Sequence, residues 1–561
     1  MAEVERQRIT TKDLALQLET TSHSAESIER VLAAFIDPNM ETATREGFFR
    51  RMSSSLIGRS KRVSHVSSAI NSVNDDISWG RQFNATYIGH ELSESAIPAI
   101  IATAIAARNN GNTVAREVSR PESALEPEAI GALLELVGFD PEVGSGTFTS
   151  GGSLANMTAL AVARKLEEEA AINEKRPVGK LAVLTTPFAH YSVKKVCDLL
   201  GGPNHDIQVI EVDSEDLRMS LESLQDKITE AQNNKLRIMA VVAMAGETET
   251  GLVDPIKSIA DITDQHNLRL VVDGAYGTPY KLSRAGDKLA GIERAFAITI
   301  DPHKTLYTPY PSGVTLFRDA KEHSRIGMGI DAPYLQFLTD ADELAEAFRG
   351  RRQSQEESKL NLGQKRIEGS MGTAPILSTV AVLRTLGTEG LGILYDLTLD
   401  RTQHLYQRLS SSKYLAPIHI PDLNLLCFTL RDEIVEALGI TRNDKPSKPM
   451  REHLEKQGIF VREEDTLQEF IETTRRELDN DIQREGGYFF SGTNLPLDTN
   501  SEVEEIDENG NPTGKNKSER NRKYAYRACI MHPRTTNEII DNAVQALEVI
   551  IESKIREKNP Q

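Results

Sequence analysis

Sulfur chemistry is nearly excluded at the outset: 561 residues hold three cysteines, Cys197, Cys427 and Cys529. An odd count at wide spacing, with no CxxC, argues against a disulfide framework or a thiolate zinc site and suits a reducing compartment. No metal is expected. Positive charge is short as well, 65 lysines and arginines against 83 acids, for a net charge of −18 and a pI near 5.3. That balance argues against nucleic acid or an anionic membrane as the main partner. Aromatics make up 5% of the chain, with Trp79 the single tryptophan, too sparse for an aromatic pocket to be drawn from sequence. Long apolar runs are missing: the longest, around residues 96–107, is too short to span a bilayer. The start, MAEVERQRITTKD, is charged and lacks the apolar core of a signal peptide. The expectation is a soluble, cytoplasmic protein of roughly two to four domains.

What is present is alternation. Short apolar runs rich in β-branched residues recur at 181–185, 207–212, 238–244, 268–273, 296–300 and 313–317. Helical patterns lie between most of them, at 155–168, 193–200, 221–232 and 256–266. This predicts an α/β domain with a mainly parallel sheet and helices on both faces. The last two runs have no helix between them, which predicts an antiparallel edge. Residues 1–100 read as an N-terminal helical segment, with Ile28, Val31, Leu32 and Phe35 on one face of a helix over 24–35. Residues 98–109 read as a small-residue helix buried on most sides, and 130–137 as a helix stopped by Gly138. The large domain is placed at 101–395 and a smaller α+β domain at 396–561, with strands near 424–430 and 526–531 and a closing helix over 536–551. The polar stretch 501–522 reads as a mobile loop.

Two of these runs end in chemistry. LRLVVDGAYG closes on Asp273, and FAITIDPHKTLYTPY runs into Asp301, His303 and Lys304. Ligands of open α/β sheets bind at the carboxyl ends of strands. A lysine and a carboxylate brought there by neighbouring strands suit pyridoxal phosphate, the lysine as Schiff-base former and the acid on the pyridine nitrogen. GTFTSGGSLAN, at 146–156, leads straight into a helix. Its small residues and the helix N-terminus fit a phosphate, with Gly152 and Ser153 as donors and Thr149 and Ser150 as helpers. His190, five residues past a strand, is placed to stack on the ring, and Ala275 is small enough to lie on the other face. Thr248, in MAGETETG, offers a hydroxyl to the ring oxygen or a substrate carboxylate. Singly, each residue has an ordinary reading as a cap, a turn or a solvated side chain; together and in order they make a set.

The chain resembles the pyridoxal-phosphate-dependent group II amino acid decarboxylases, the fold-type-I family of aromatic amino acid, glutamate and tyrosine decarboxylases. FTSGGSLANMTAL, PFAHYSVKKV, GETETGLVDPI, VVDGAYGTPY and DPHKTLYTPY carry the resemblance, which covers about residues 85–400. YIGHELSESAIPA, at 87–99, and APYLQFL, at 332–338, look closest to bacterial tyrosine decarboxylases. The resemblance implies Lys304 as the cofactor lysine, Asp273 at the pyridine nitrogen, His190 stacked, and Gly152, Ser153 and His303 on the phosphate. It implies Tyr334 on a loop that helps protonate the carbon losing carbon dioxide. Ser370 and Gly372 would reach the phosphate of a partner subunit in a homodimer with shared active sites. His90, Asn110 and Ser491 become candidate substrate-pocket residues. Two positions depart from the family pattern: Leu154 replaces an acid, and Glu247 replaces a threonine. The implied reaction is decarboxylation of an L-amino acid to its amine, a tyrosine-like substrate leading and an acidic one the alternative. A carbon–carbon lyase of the sphingosine-phosphate type and a catalytically silent scaffold are the rival readings.

Overall fold

The computed structural model describes residues 83–114, 119–204, 206–326, 362–440, 466–480, 488–506 and 512–558. The helix expected over 24–35, Trp79, and Tyr334 with its flanking APYLQFL lie outside the described residues.

Seven strands build the central sheet. They are β1 (Ser145–Thr149), β2 (Leu181–Thr185), β3 (Ile207–Glu211) and, past a short ribbon of β4 (Ser214–Glu215) and β5 (Arg218–Met219), β6 (Arg237–Met244), β7 (Leu270–Asp273), β8 (Ala297–Ile300) and β9 (Gly313–Phe317). Their order is β1-β9-β8-β7-β6-β2-β3. The run from β8 to β3 is parallel, and β9 is antiparallel to both its neighbours. Strands β2, β7 and β8 are buried along their whole length, as a parallel sheet covered on both faces requires. The expected antiparallel pair of β8 and β9 is present, but β9 is internal rather than an edge. Strand β1 closes that side; its text, SGTFT, reads as part of the glycine turn that follows and hides a strand buried at every position.

The smaller sheet has the order β10-β11-β13-β12, built from β10 (Leu415–Pro417), β11 (Leu425–Leu430), β12 (Ser491–Ile506) and β13 (Pro512–Cys529). The stretch 501–522, expected as a loop, is strand over 501–506 and 512–522, in the distal arms of the β12–β13 hairpin. A hairpin ladder pairs its own backbone groups and so needs no apolar text to form. Leu426, Phe428, Tyr526 and Leu547 centre a second core here, separate from the clusters that flank the large sheet.

Helix Ala374–Ser410 links the two cores: Ile376 and Val380 lie in the first, Leu405 and Leu409 in the second. Residue 395 therefore falls inside a helix that serves both. By length and composition this helix could cross a membrane, yet most of its apolar window is buried in protein. Helix Ile97–Asn109 packs against it through Ala99, Ala102 and Ala106. It is less buried than its composition suggests: Ile100, Ile101 and Ile105 stay 37%, 46% and 49% exposed.

Candidate active site

Strands β7 and β8 are parallel neighbours with Asp273 opposite Thr299, so the chain leaves both at the same sheet edge. After β8 comes a single helical turn, Pro302–Thr305, that carries His303 and Lys304. Proline at its first turn has no N–H to waste there. A cavity of about 410 Å³ opens at this edge, lined by Gly151, Gly152, Ser153, Asn156, His190, Thr248, Asp273, Ala275, Asp301, His303, Lys304 and Tyr310. Of the expected residues, Gly152, Ser153, His190, Thr248, Asp273, Ala275, His303 and Lys304 thus meet in one place.

Asp273 is buried and held on both oxygens. Asn156 Nδ2 donates to Oδ2 at 2.8 Å, while Ala275 N–H and Thr299 Oγ1 donate to Oδ1 at 3.3 Å each. Asn156 also donates to Ser192 Oγ, tying the acid to the His190 segment. His190 caps helix Tyr191–Gly201, its Nδ1 accepting from Ser192 N–H. Burial is the main reason that its pKa is lowered, with Lys304 adding to the effect against the pull of Asp273. The ring therefore stays neutral at the cavity wall.

His303 has a defined tautomer. Its Nδ1 accepts from Ser312 N–H at 3.1 Å, which leaves the proton on Nε2. Burial, then the Lys304 charge, pushes its pKa down to about 3. It stacks on Tyr310 at 3.7 Å between ring centroids and stands against Gly151. Helix Gly152–Asn173 starts at the cavity, and the first N–H groups of a helix have no partner within it. Gly151 has φ 141°, a backbone state few side chains tolerate. The helpers fare differently: Thr149 Oγ1 donates to Gly151 O, and Ser150 N–H is taken by Glu368 Oε1 at 2.8 Å.

Several residues that the sequence reading did not single out complete the site. Glu91 Oε2 lies 2.9 Å from Lys304 Nζ, and its other oxygen lies 3.0 Å from Arg527. Burial alone would lower the Lys304 pKa; Glu91 and Asp301 outweigh it and raise the pKa above the usual lysine value. Asp301 is 3% exposed and its Oδ1 has no hydrogen-bond partner among the described residues. Its Oδ2 lies 3.8 Å from Lys304 Nζ and 3.5 Å from His303 Nε2. Glu247, the departure from the family threonine, caps its own turn by accepting from the N–H groups of Glu249 and Thr250. Glu91 stands one place after His90 in YIGHELS, within a motif that the sequence already marks.

Other expected residues lie elsewhere. Asn110 is the exposed left-handed cap of helix Ile97–Asn109, with its N–H on Ala106 O. Ser491 is buried, 2.6 Å from Gly89 O, where it stitches β12 to the chain before the helix. His90 is exposed beside Phe489, at 5.5 Å between ring centroids. None of the three lines the cavity. Ser370 and Gly372 pair with Asn112 of their own chain, also outside it.

The residues present fit pyridoxal phosphate on structural grounds. An anchored carboxylate faces the cavity for a pyridine nitrogen, a buried lysine lies beside it, and a helix start with a neutral His303 N–H suits a phosphate. Asp301 Oδ1, buried and without a hydrogen-bond partner among the described residues, also calls for a donor or a proton.

Comparison with known proteins agrees. The pyridoxal-dependent decarboxylase conserved domain matches residues 86–431. The chain is 30% identical over 359 residues to L-2,4-diaminobutyrate decarboxylase of Rhizobium meliloti (strain 1021), covering 62% of this chain and 66% of that protein. It is 26% identical over 498 residues to aspartate 1-decarboxylase of Aliivibrio fischeri (strain ATCC 700601 / ES114), covering 84% and 80%. The crystal structure of mouse CSAD in apo form superposes with a TM-score of 0.66 at 18% identity, covering 96% of this chain and 97% of that one, which establishes the shared fold. The matched domain spans most of the sheet and every cavity residue described above, and the chain accordingly belongs to the pyridoxal-dependent decarboxylase family, as an enzyme that uses pyridoxal phosphate.

Proposed function

We propose that the protein converts a neutral aromatic L-amino acid to its amine and carbon dioxide, with Lys304 carrying the cofactor. One observation carries the site assignment: Lys304 and Asp273 leave adjacent strand ends into one cavity that also receives a helix N-terminus. Pyridoxal phosphate, when bound, supplies the electron sink into which the bond to the departing carboxylate empties. Asp273 would keep a proton on the ring nitrogen, and neutral His190 and Ala275 would pack against the ring. The Gly152 and Ser153 amides and the His303 Nε2–H would hold the phosphate, with the Thr248 hydroxyl as a further donor. Tyr334, or His190 through water, would supply the proton that replaces the lost carboxylate.

The substrate reading rests on what surrounds Glu91. Phe83, Tyr87, Phe489 and His90 form a linked aromatic group, with Tyr87 stacked on Phe489 at 4.9 Å, beside the residue that touches Lys304. The nearby guanidinium, Arg527, already donates to Thr248 O, Gly89 O and Glu91. The cations beside Glu91, Lys304 and Arg527, are already paired with it, and burial of an acidic side chain without a counter-charge is costly. The acidic reading is supported by the name of the Aliivibrio relative. The two relatives' names point to side chains of opposite charge and so do not choose. The protein is further proposed to work as a homodimer, supported by the exposed Ile100, Ile101 and Ile105 and by Tyr310 and Tyr191 at the cavity, 57% and 67% exposed. Ser370 and Gly372 would then serve the partner's phosphate.

The test is absorbance and carbon dioxide release in parallel. Wild-type protein with pyridoxal phosphate should show a borohydride-reducible visible band that Lys304→Ala lacks, with gas from tyrosine or another aromatic amino acid. Gas from aspartate or glutamate alone would overturn the substrate, and a band without gas from any amino acid would favour the lyase chemistry.

A further inference from the structure

Glu91 sits between two cations that differ in kind, the buried Arg527 and the partly buried Lys304. Arg527 stays charged at all accessible pH values and is fully committed: Nε and one terminal nitrogen donate to Thr248 O, the other to Gly89 O. The segment that carries Glu91 is fastened as well, by Ile88 N–H on Phe489 O, Cys529 N–H on Ile88 O and Ala96 N–H on Tyr307 O. The carboxylate cannot swing away. Lys304 is the other cation, with Nζ at 2.9 Å, and its charge exists only while its nitrogen is a free ammonium. Once that nitrogen is joined to the cofactor, Glu91 keeps Arg527 and gains an open oxygen next to the reacting nitrogen.

An amino acid arrives as an ammonium ion and has no lone pair with which to displace Lys304. We propose that Glu91 is the proton acceptor and dock for the two amines that exchange at the cofactor. The role rests on the reading that Lys304 carries the cofactor. One substrate N–H bond breaks, its electron pair stays on nitrogen as the nucleophile, and that proton goes to Glu91 Oε2. As the substrate nitrogen bonds to the cofactor carbon and the Lys304 nitrogen is released from it, a second substrate proton passes to the Lys304 nitrogen, which leaves as a neutral amine. That amine then takes the first proton from Glu91 and returns to the ion pair seen here. No other reactant is needed. The charged and titratable groups facing this exchange are Lys304, Arg527, Asp301, Asp273 and His190. Asp301 is the nearest competitor at 3.8 Å, but it stands against Gly152, on the phosphate side.

Glu91→Gln is the informative variant. Its one carbonyl oxygen can keep the Arg527 hydrogen bond, while its amide cannot take a proton. The experiment follows displacement of the lysine-bound cofactor by two small amines in rapid mixing, without turnover. Methylamine is an ammonium ion at neutral pH and hydroxylamine is not. In Glu91→Gln, exchange with methylamine should slow on the order of a hundredfold while hydroxylamine stays within about twofold of wild type. Methylamine exchange should recover as pH rises toward its own pKa. Equal slowing of both amines, or of neither, overturns the proposal. Should Glu91→Gln fail to load cofactor, Glu91→Asp is run with the same pair; its shorter carboxylate should slow methylamine selectively, and loss without selectivity refutes the role. A visible band persisting in Lys304→Ala would instead defeat the cofactor-lysine reading beneath it.

Discussion

Asp301→Asn should remove a pH-dependent weakness of the cofactor-free protein. Asp301 is buried behind Lys304, with Oδ1 lacking a hydrogen-bond partner among the described residues. Burial pushes its pKa from 3.8 to about 7, with Asp273 and Glu91 adding to the rise and Lys304 opposing it. The folded state thus holds a proton that the unfolded chain gives up near its ordinary aspartate value. Stability from this group is intact below about pH 4, falls as pH climbs toward about 7, and is level above. A rise of about three pH units, at ~1.4 kcal/mol per unit, makes about 4 kcal/mol across that window. Asparagine cannot ionise and lacks the slope. Denaturant unfolding of cofactor-stripped wild type and Asp301→Asn, from pH 5 to pH 8, reads the effect, because titrating groups that do not interact with Asp301 cancel in the difference. The variant's advantage should grow by about 2 kcal/mol between pH 5 and pH 7 and level off toward pH 8. Parallel curves would refute the reasoning and mean that Asp301 is ionised in the fold, paired with Lys304 more tightly than their 3.8 Å separation implies.

Other substitutions probe the frame of the site. Gly152→Ala would place a Cβ 2.7 Å from Asp301 Oδ2, at the first residue of the helix that faces the phosphate. Cofactor titration should show affinity down by about tenfold or more, ~1.4 kcal/mol, with secondary structure unchanged by circular dichroism. Arg366 is fully buried and joins Phe148 O, Thr113 Oγ1 and Glu126, so it pins β1 just before the turn. Arg366→Met alone leaves Glu126 buried and unpaired and should cost ~3–5 kcal/mol in denaturant unfolding. Adding Glu126→Leu should recover most of that loss; no recovery would show that Arg366 acts through β1 rather than through its ion pair.

Much of the site is legible in the text because local pattern and site chemistry coincide there. Asp273 and Lys304 end apolar runs, and a run that ends in a polar residue marks a strand's edge whatever its neighbours are. The turn before helix Gly152–Asn173 announces itself by composition, and His190 by its distance from β2. Strand order is a different matter. Nothing in SGTFT says that it pairs with β9 across 172 positions of chain, Ser145 against Phe317, since short strands gain their stability from partners supplied by tertiary contact. The hairpin arms over 501–506 and 512–522 escaped for a related reason, as backbone pairing is invisible to a reading of apolar periodicity.

The sequence by itself therefore determined which strands lead to Asp273 and Lys304 and which cofactor those groups suit, since strand ends, turns and helix starts are set by residues close in the chain. Only the tertiary structure decided what surrounds the lysine. Glu91 reaches Nζ from 213 positions upstream, and Arg527 locks Glu91 from 223 positions beyond Lys304. Burial turns those separations into contacts: an ammonium taken out of water must find a carboxylate, and the fold rather than the text selects which one.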